Sequence, residues 1–463
     1  MTGAGPSSPT VSERLADWAT SQTLDGVPDE VIVYAKRLIL DSLGLQVRGS
    51  TLAHVQPQRK VVEAACAKPE ATIIGTGIRT TIGNAAYVNG TFGASMEFDD
   101  CHTLPWHAGS VIVPAALAVT EQTRGSGADL LLGTIVGQQI LCLIGTVASS
   151  GLLKEGWQAS RAMGAFGAAA SAAAIRGLDR EVLVNAFGIA GGDASGPLEY
   201  DEAGGEVKRQ YTGVAARAGL DAVQLALHGL TGPRTIFEGP KGLFRLMAHQ
   251  QDLAPLDAGW NKWHLLDTFF RLNPGVATVL PALDVIADTL DQERIDWREI
   301  DSIRVGMPAF AVSHGGSIVV PTDTLSAHFS LAFALALRLV SGTSAPQDYL
   351  NPALWSDPDI QSVARKVQPH PHDFGPDAPI LAADVTITMT DGRTFGREQL
   401  GYVGHTLHPA TDEQMEAKFR ANVDGILDGA EAETLIATIR DLDKLRDVGP
   451  LVRGLSAVAS ERS

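Results

Sequence analysis

Glu97, Asp99, Asp100 and His102 fall within six residues, and His107 follows five further on. Apolar, small-residue segments flank them on both sides. Buried charge is costly unless it is paired or put to use, so an acidic knot between apolar segments marks a candidate site. Carboxylates beside an imidazole suit proton transfer near neutral pH. A divalent ion on Asp99 and Asp100 is the weaker reading, because His102 and His107 flank a loop containing Pro105 and lack the spacing of a helix-borne metal pair. For Asp99, Asp100 and His102 a local role stays open beside the functional one: an Asp capping the loop or pairing with a buried Arg, and a hydrogen-bonded loop histidine. His107 reads as functional.

The opposite charge comes from the stretch Glu206 to Gly213, where Lys208 precedes a helix start at Thr212-Gly213. Desolvated in a cleft, Lys208 would act as acid or base. On the residues alone it reads as a solvated loop lysine beside the acidic run Glu199 to Glu206. Arg161, Arg209 and Arg271 could each clamp a carboxylate bidentately, and each alone reads equally as an ordinary ion-pair residue. Gly191-Gly192-Asp193 and Gly204-Gly205 lack the strand–glycine–helix context of a phosphate loop, and no G-x-S-x-G marks a serine hydrolase.

The elements that must position these residues are mostly helical. Val11 to Ser21 has helical spacing, and Pro28-Asp29-Glu30 opens a helix running to about Gly49. Further helices are expected at Thr80–Phe98, Ser110–Thr123, Gly127–Ser149, Ser160–Ile175, Asp179–Gly191 and Gly213–Gly229. Ala71 to Gly77 reads as a short extended piece. The run Gly164 to Ala174 is nearly all Ala and Gly, which suits a central helix approached closely by its neighbours. The character changes near Leu265. Ile300–Met307 and Ala383–Thr390 alternate like strands, Asp391-Gly392 reads as a hairpin turn into Thr394–Gln399, and Ser326–Leu339 is helical. From Asp412 the helical period returns, with Met415, Phe419 and Val423 on one face. Residues 1–10 are expected to be a disordered start.

A chain of 463 residues exceeds what one core normally serves, so two domains are expected. The formal charge of −17 argues against nucleic acid or an anionic membrane as partner. Leu130–Leu153 is the longest apolar run, but Gln138 and Gln139 interrupt it, and no membrane span is expected. Cys66, Cys101 and Cys142 lie far apart with no C-x-x-C, which fits free thiols in a reducing cytosol.

The order of several short motifs resembles the MmgE/PrpD family. They are Asn89-Gly90, Met96-Glu97-Phe98-Asp99-Asp100, His107 and Pro114-Ala115-Ala116-Leu117, then Gly156-Trp157 and Gly164-Ala165-Phe166-Gly167-Ala168-Ala169-Ala170. Lys208 with Gly213, Ala215 and Ala216 follows, then Ala327 with Phe329-Ser330-Leu331, His408-Pro409 and Glu416-Ala417-Lys418-Phe419-Arg420. The resemblance implies a mainly α protein: a large all-helical domain from both chain ends (1–265 and 401–463) and a smaller α+β lid (266–400). It also implies a homodimer with no organic cofactor, and proton movement at carbon beside a carboxylate; the cysteines give the expectation of a cytoplasmic protein, and the residue spacing that of no metal. Lys208 matches the family's active-site lysine and His107 its histidine, while Glu97 stands where the family usually has Asp.

Departures from the family pattern bear on the substrate. Gln158 stands where His usually follows Gly-Trp, and Lys208-Arg209-Gln210-Tyr211 replaces Lys-Pro-x-His. Arg271-Leu272-Asn273-Pro274-Gly275-Val276 replaces a Lys followed by Tyr-Pro-Cys, Phe333 replaces a decarboxylase tyrosine, and His328 replaces a common lysine. Fewer imidazoles and more apolar groups imply a different, less polar carboxylate. The expected function is a lyase, dehydratase or decarboxylase, of a small carboxylic acid. Lys208 would move the proton, and His107, oriented by Glu97, would serve the opposite face. Substrate contacts are expected from Gln158, Arg161, Arg209, Tyr211, Arg271 and Cys101. An epimerase or isomerase with two opposed bases, and a non-catalytic carboxylate binder, are the alternatives.

Overall fold

The computed structural model describes residues 8–200, 204–376 and 378–456. The protein is mainly α with a smaller α+β part. Local signals set most helix starts. Thr10 and Glu13 form a reciprocal cap on Val11–Ser21, Asp29 and Glu30 occupy the first turn of Asp29–Gly49, and Ser126 with Asp129 caps Gly127–Lys154. Gly127–Lys154 is long and apolar enough to cross a membrane, yet 89% of its most apolar window is buried inside the protein. Against it packs the small-residue helix Ala159–Arg176, which in turn packs on Tyr211–Leu227.

One crossing positions the site. The helices Ile82–Gly93 and Tyr211–Leu227 touch through Gly90 and Gly213. A Cβ on Gly213 would lie 2.0 Å from the Tyr87 carbonyl oxygen, so no larger residue fits without parting the helices. Thr212 Oγ1 locks the crossing by donating to the Gly90 carbonyl at 3.0 Å. The chain just after the first helix and just before the second is thereby brought together, and those two places carry Glu97 and Lys208.

The second hydrophobic core is built mostly from residues between Phe269 and Tyr402, joined by Tyr200 and Tyr211, and includes a five-stranded sheet. Ile300–Met307 pairs parallel with Val367–Pro371 and antiparallel with Ala382–Met389, with Val305 opposite Val385. Ala382–Met389 also pairs with Thr394–Phe395 and Glu398–Leu400. A third core joins the two chain ends: Leu38 and Leu43 of Asp29–Gly49 share it with Met415 and Phe419 of Asp412–Val423 and with Ile436 of Gly429–Arg440.

Three expectations need correction. The helix expected over Thr80–Phe98 spans Ile82–Gly93, and the chain then turns, with Glu97 in the left-handed region at φ +46°. Helical propensity continues there, but a carboxylate drawn to three cations fixes a different backbone. The helix expected over Ser326–Leu339 is broken into Thr324–His328 and Leu331–Ser341, because Ser330 Oγ accepts from the Phe333 N–H at 3.0 Å and starts a new helix. The extended piece at Ala71–Gly77 reduces to Ala71–Thr72, paired with Arg79–Thr80. Of the expected disordered start, residues 1–7 lie outside the described residues, and Thr10 is the ordered cap of the first helix.

Candidate active site

Glu97 is the hub. Its Oε1 accepts from Lys208 Nζ in a buried ion pair and from Arg209 Nη1 at 3.3 Å, while its Oε2 accepts from Arg271 Nη1 at 3.2 Å. Burial alone would push the Glu97 carboxyl up; Lys208, Arg271, His107 and Arg209 reverse this and hold it well below the usual carboxylate range. Lys208 is 7% exposed, and its ammonium also lies 5.2 Å from the centre of the Phe329 ring. It is therefore not the solvated loop lysine that its local sequence suggests.

His107 finds a different acid from the one expected. Its Nδ1 lies 3.1 Å from Asp99 Oδ2, so Asp99, not Glu97, orients the ring. With Nδ1–H assigned to that carboxylate, Nε2 is the nitrogen directed away from it. Asp99 is in turn fixed by the Ser110 hydroxyl at 2.8 Å and by Arg271, whose Nη2 donates to Oδ1. Burial works against ionising Asp99, but His107 and Arg271 outweigh it and lower its pKa.

Arg271 is spent on the protein. Its Nε donates to the Asp99 carbonyl at 2.7 Å and its Nη1 to the Gly275 carbonyl at 3.0 Å, in addition to Glu97 and Asp99. Four of its five N–H groups are so engaged. Arg209 is fully buried between Glu97 and Glu206, its Nε 3.1 Å from Glu206 Oε2. The two arginines build the site rather than wait in it for a ligand.

Asp100 and His102 take the local roles. Asp100 Oδ2 accepts the Gly109 N–H at 2.9 Å at the start of the helix Gly109–Thr123. Burial, then the charge of Asp99, pushes its carboxyl up to about 8. His102 Nδ1 accepts the Leu104 N–H and its Nε2 donates to the His264 carbonyl, both at 3.0 Å. Burial lowers this imidazole to about 4, as expected of a neutral ring with both nitrogens occupied by backbone.

A cavity of about 90 Å3 opens against Glu97, His107, Lys208 and Arg271. Cys101 lines it too, its thiol pushed up by burial to about 12, which makes it a wall and not a nucleophile. Gln158, Arg161, Arg209 and Tyr211 are not among the lining residues. The Gln158 side-chain oxygen accepts the Arg161 N–H at 2.6 Å and caps the helix Ala159–Arg176. Arg161 Nη1 donates to the Asp193 carbonyl at 2.8 Å, and the Tyr211 hydroxyl to the Pro197 carbonyl at 3.0 Å. Arg161 and Tyr211 thereby hold the segment leading to Tyr200, which does line the cavity. Phe333 is fully buried edge-on against Tyr349, away from the cavity.

The sequence reading missed a second buried pair. Lys418, from the C-terminal helix Asp412–Val423, lies 2.6 Å from Asp41 Oδ1 and donates to the Phe98 carbonyl at 2.6 Å. It thereby braces the turn that carries Glu97. A lysine among Met415, Phe419 and Val423 was the available signal.

Comparison with known proteins settles the relationship. The MmgE/PrpD N-terminal domain matches residues 13–256, and the MmgE/PrpD C-terminal domain matches residues 276–444. The chain belongs to the MmgE/PrpD family. Among curated relatives, a cis-aconitate decarboxylase from Aspergillus terreus is 28% identical over 477 residues, covering 96% of both chains. The cis-aconitate decarboxylases of Mus musculus and Homo sapiens are 26% and 27% identical, covering 96% and 95% of this chain and 93% of each relative. The two MmgE/PrpD domain matches flank the segment holding Arg271, and Glu97, His107 and Lys208 all fall in the first.

Proposed function

We propose that the protein is a lyase acting on a small carboxylic acid, moving a proton at carbon next to a carboxylate by decarboxylation or dehydration. One observation carries the reading: Lys208 and His107 face the same cavity, each paired with its own buried carboxylate, Glu97 and Asp99. Such positioning is what general acid–base catalysis requires, and it is worth about 10²- to 10⁴-fold. The relatives, named for decarboxylation of cis-aconitate, support a lyase.

In a decarboxylation, the breaking carbon–carbon bond leaves its electron pair on carbon as carbon dioxide departs. The Lys208 ammonium then delivers a proton to that carbon and is reprotonated from solvent. In a dehydration, His107 Nε2 takes the proton next to the carboxylate, and Lys208 protonates the departing hydroxyl. Residues 266–400 act as a lid in this reading, since Val276, Phe329 and Leu381 line the cavity together with Lys208. A homodimer belongs to the same proposal, and so does a cytosolic setting, which free Cys66, Cys101 and Cys142 support.

Proton NMR in heavy water tests it, with 2-methylcitrate, cis-aconitate, citrate, iminodisuccinate and less polar unsaturated acids. Deuterium entering carbon with loss of carbon dioxide or water is the expected result. Deuterium at a retained stereocentre with no group lost would make the protein an isomerase, and tight binding without exchange would make it a carboxylate binder.

A further inference from the structure

We propose that the cavity takes an acid with a single carboxylate and an apolar remainder, unlike the tricarboxylate named for the relatives. The inference rests on the lyase reading for its chemistry, but its binding claim stands on the wall alone.

The cations around Glu97 differ in what they can still offer. Arg271 has four of its N–H groups on Glu97, Asp99 and two backbone carbonyls. Arg209 is buried between Glu97 and Glu206 and does not reach the cavity. Lys208 gives one hydrogen bond to Glu97, and an ammonium has three to give. Lys208 is therefore the lining cation with most hydrogen bonds left to give a ligand carboxylate. A second or third would enter beside Glu97 and have to share Lys208, the last N–H of Arg271 or the His107 ring, groups already committed to Glu97 and Asp99, and a desolvated site penalises poorly paired charge heavily.

The remaining wall favours hydrocarbon. Phe269, Val276, Ala277, Phe329 and Leu381 line it, and Ile380 stands half-exposed at the mouth. Of the polar lining groups, Thr278 gives its hydroxyl to the His314 carbonyl at 2.6 Å, and His102 has both ring nitrogens on backbone. Tyr200 and His314 complete the polar part of the lining.

The test is calorimetric titration of the full-length protein with straight-chain 2-alkenoic acids of increasing length, alongside itaconate and cis-aconitate. Affinity is expected to rise about fourfold per added methylene until the chain passes Ile380. It is expected to exceed that for cis-aconitate by about a hundredfold, the order of penalty for an unpaired buried charge. Ile380→Arg, a change at a half-exposed position that spares the core, is expected to narrow that ratio about tenfold by meeting a second carboxylate. A flat series, no binding of any alkenoic acid, an unchanged ratio in the variant, or cis-aconitate binding as tightly as the best alkenoic acid would each overturn the proposal. Deuterium exchange on the same samples separates the two claims. Tight alkenoic-acid binding with no exchange in any acid sinks the lyase reading and keeps the binding class; exchange in cis-aconitate alone does the reverse.

Discussion

Glu97 and Lys208, 111 positions apart, meet as a buried ion pair at the wall of the cavity. Glu97 is also the shared acceptor of Arg209 and Arg271, so one carboxylate holds the lysine and ties together both arginines. Glu97→Gln would leave three cations facing an amide that can offer one oxygen. A loss of about 3–5 kcal/mol is expected, the usual cost of breaking a buried pair from one side. Urea denaturation checks this, and activity should fall with it because Lys208 loses its anchor.

His107 is oriented by Asp99, and the two should fail together. Asp99→Asn and His107→Gln are each expected to lower kcat by about 10²-fold or more, with the double variant little worse than either single one. Steady-state kinetics of the three variants would show additive losses if the pair did not act as a unit.

The acid segment was legible in the sequence because buried charge between apolar helices has few explanations, whereas Lys208 was marked only by the family resemblance, its local sequence reading as a solvated loop. The individual roles were not. Glu97 and Asp99 sit two residues apart, and only the left-handed turn at Glu97 decides which acid faces Lys208 and which faces His107. Arg271 looked like a carboxylate clamp because its type suits one, yet its N–H groups are taken by acids and carbonyls that no local pattern connects to it. Gln158 looked like a substrate contact by alignment with a family histidine, while its amide caps a helix. The helix starts capped by Thr10, Ser126 and Thr411 were legible. The break at Ser330 was not, since Ser inside an apolar helical run reads equally well as an interior residue.

Asp100 should leave a signature in the pH dependence of stability. Its folded pKa of about 8 lies above the ordinary Asp value of about 4, so the native state holds the proton more tightly. The group favours the native state at low pH and costs stability as pH rises from about 4 to about 8. Asp100→Asn keeps an oxygen for the Gly109 N–H and never ionises. Relative to wild type it should gain stability progressively across that window, by thermal denaturation at several pH values. A difference that stays constant with pH would contradict the assignment.

Lys418 and Asp41 form the brace behind the Glu97 turn. Burial raises the Asp41 carboxyl and Lys418 opposes that shift. Lys418→Met is expected to cost about 3–5 kcal/mol by leaving Asp41 unpaired, and adding Asp41→Leu should restore most of it. A double-mutant cycle by denaturation measures the coupling, and near-additive losses would count against the pair.

The central claim is that Lys208 moves the proton, and Lys208→Ala tests it most directly. Glu97 keeps Arg209 and Arg271 in that variant, so circular dichroism and melting should show a folded protein. Deuterium incorporation into the best substrate of the wild-type protein, followed by proton NMR in heavy water, should fall by about 10²-fold or more. A folded Lys208→Ala protein that exchanges within about threefold of wild type, well short of a general acid's usual contribution, would remove Lys208 from the chemistry.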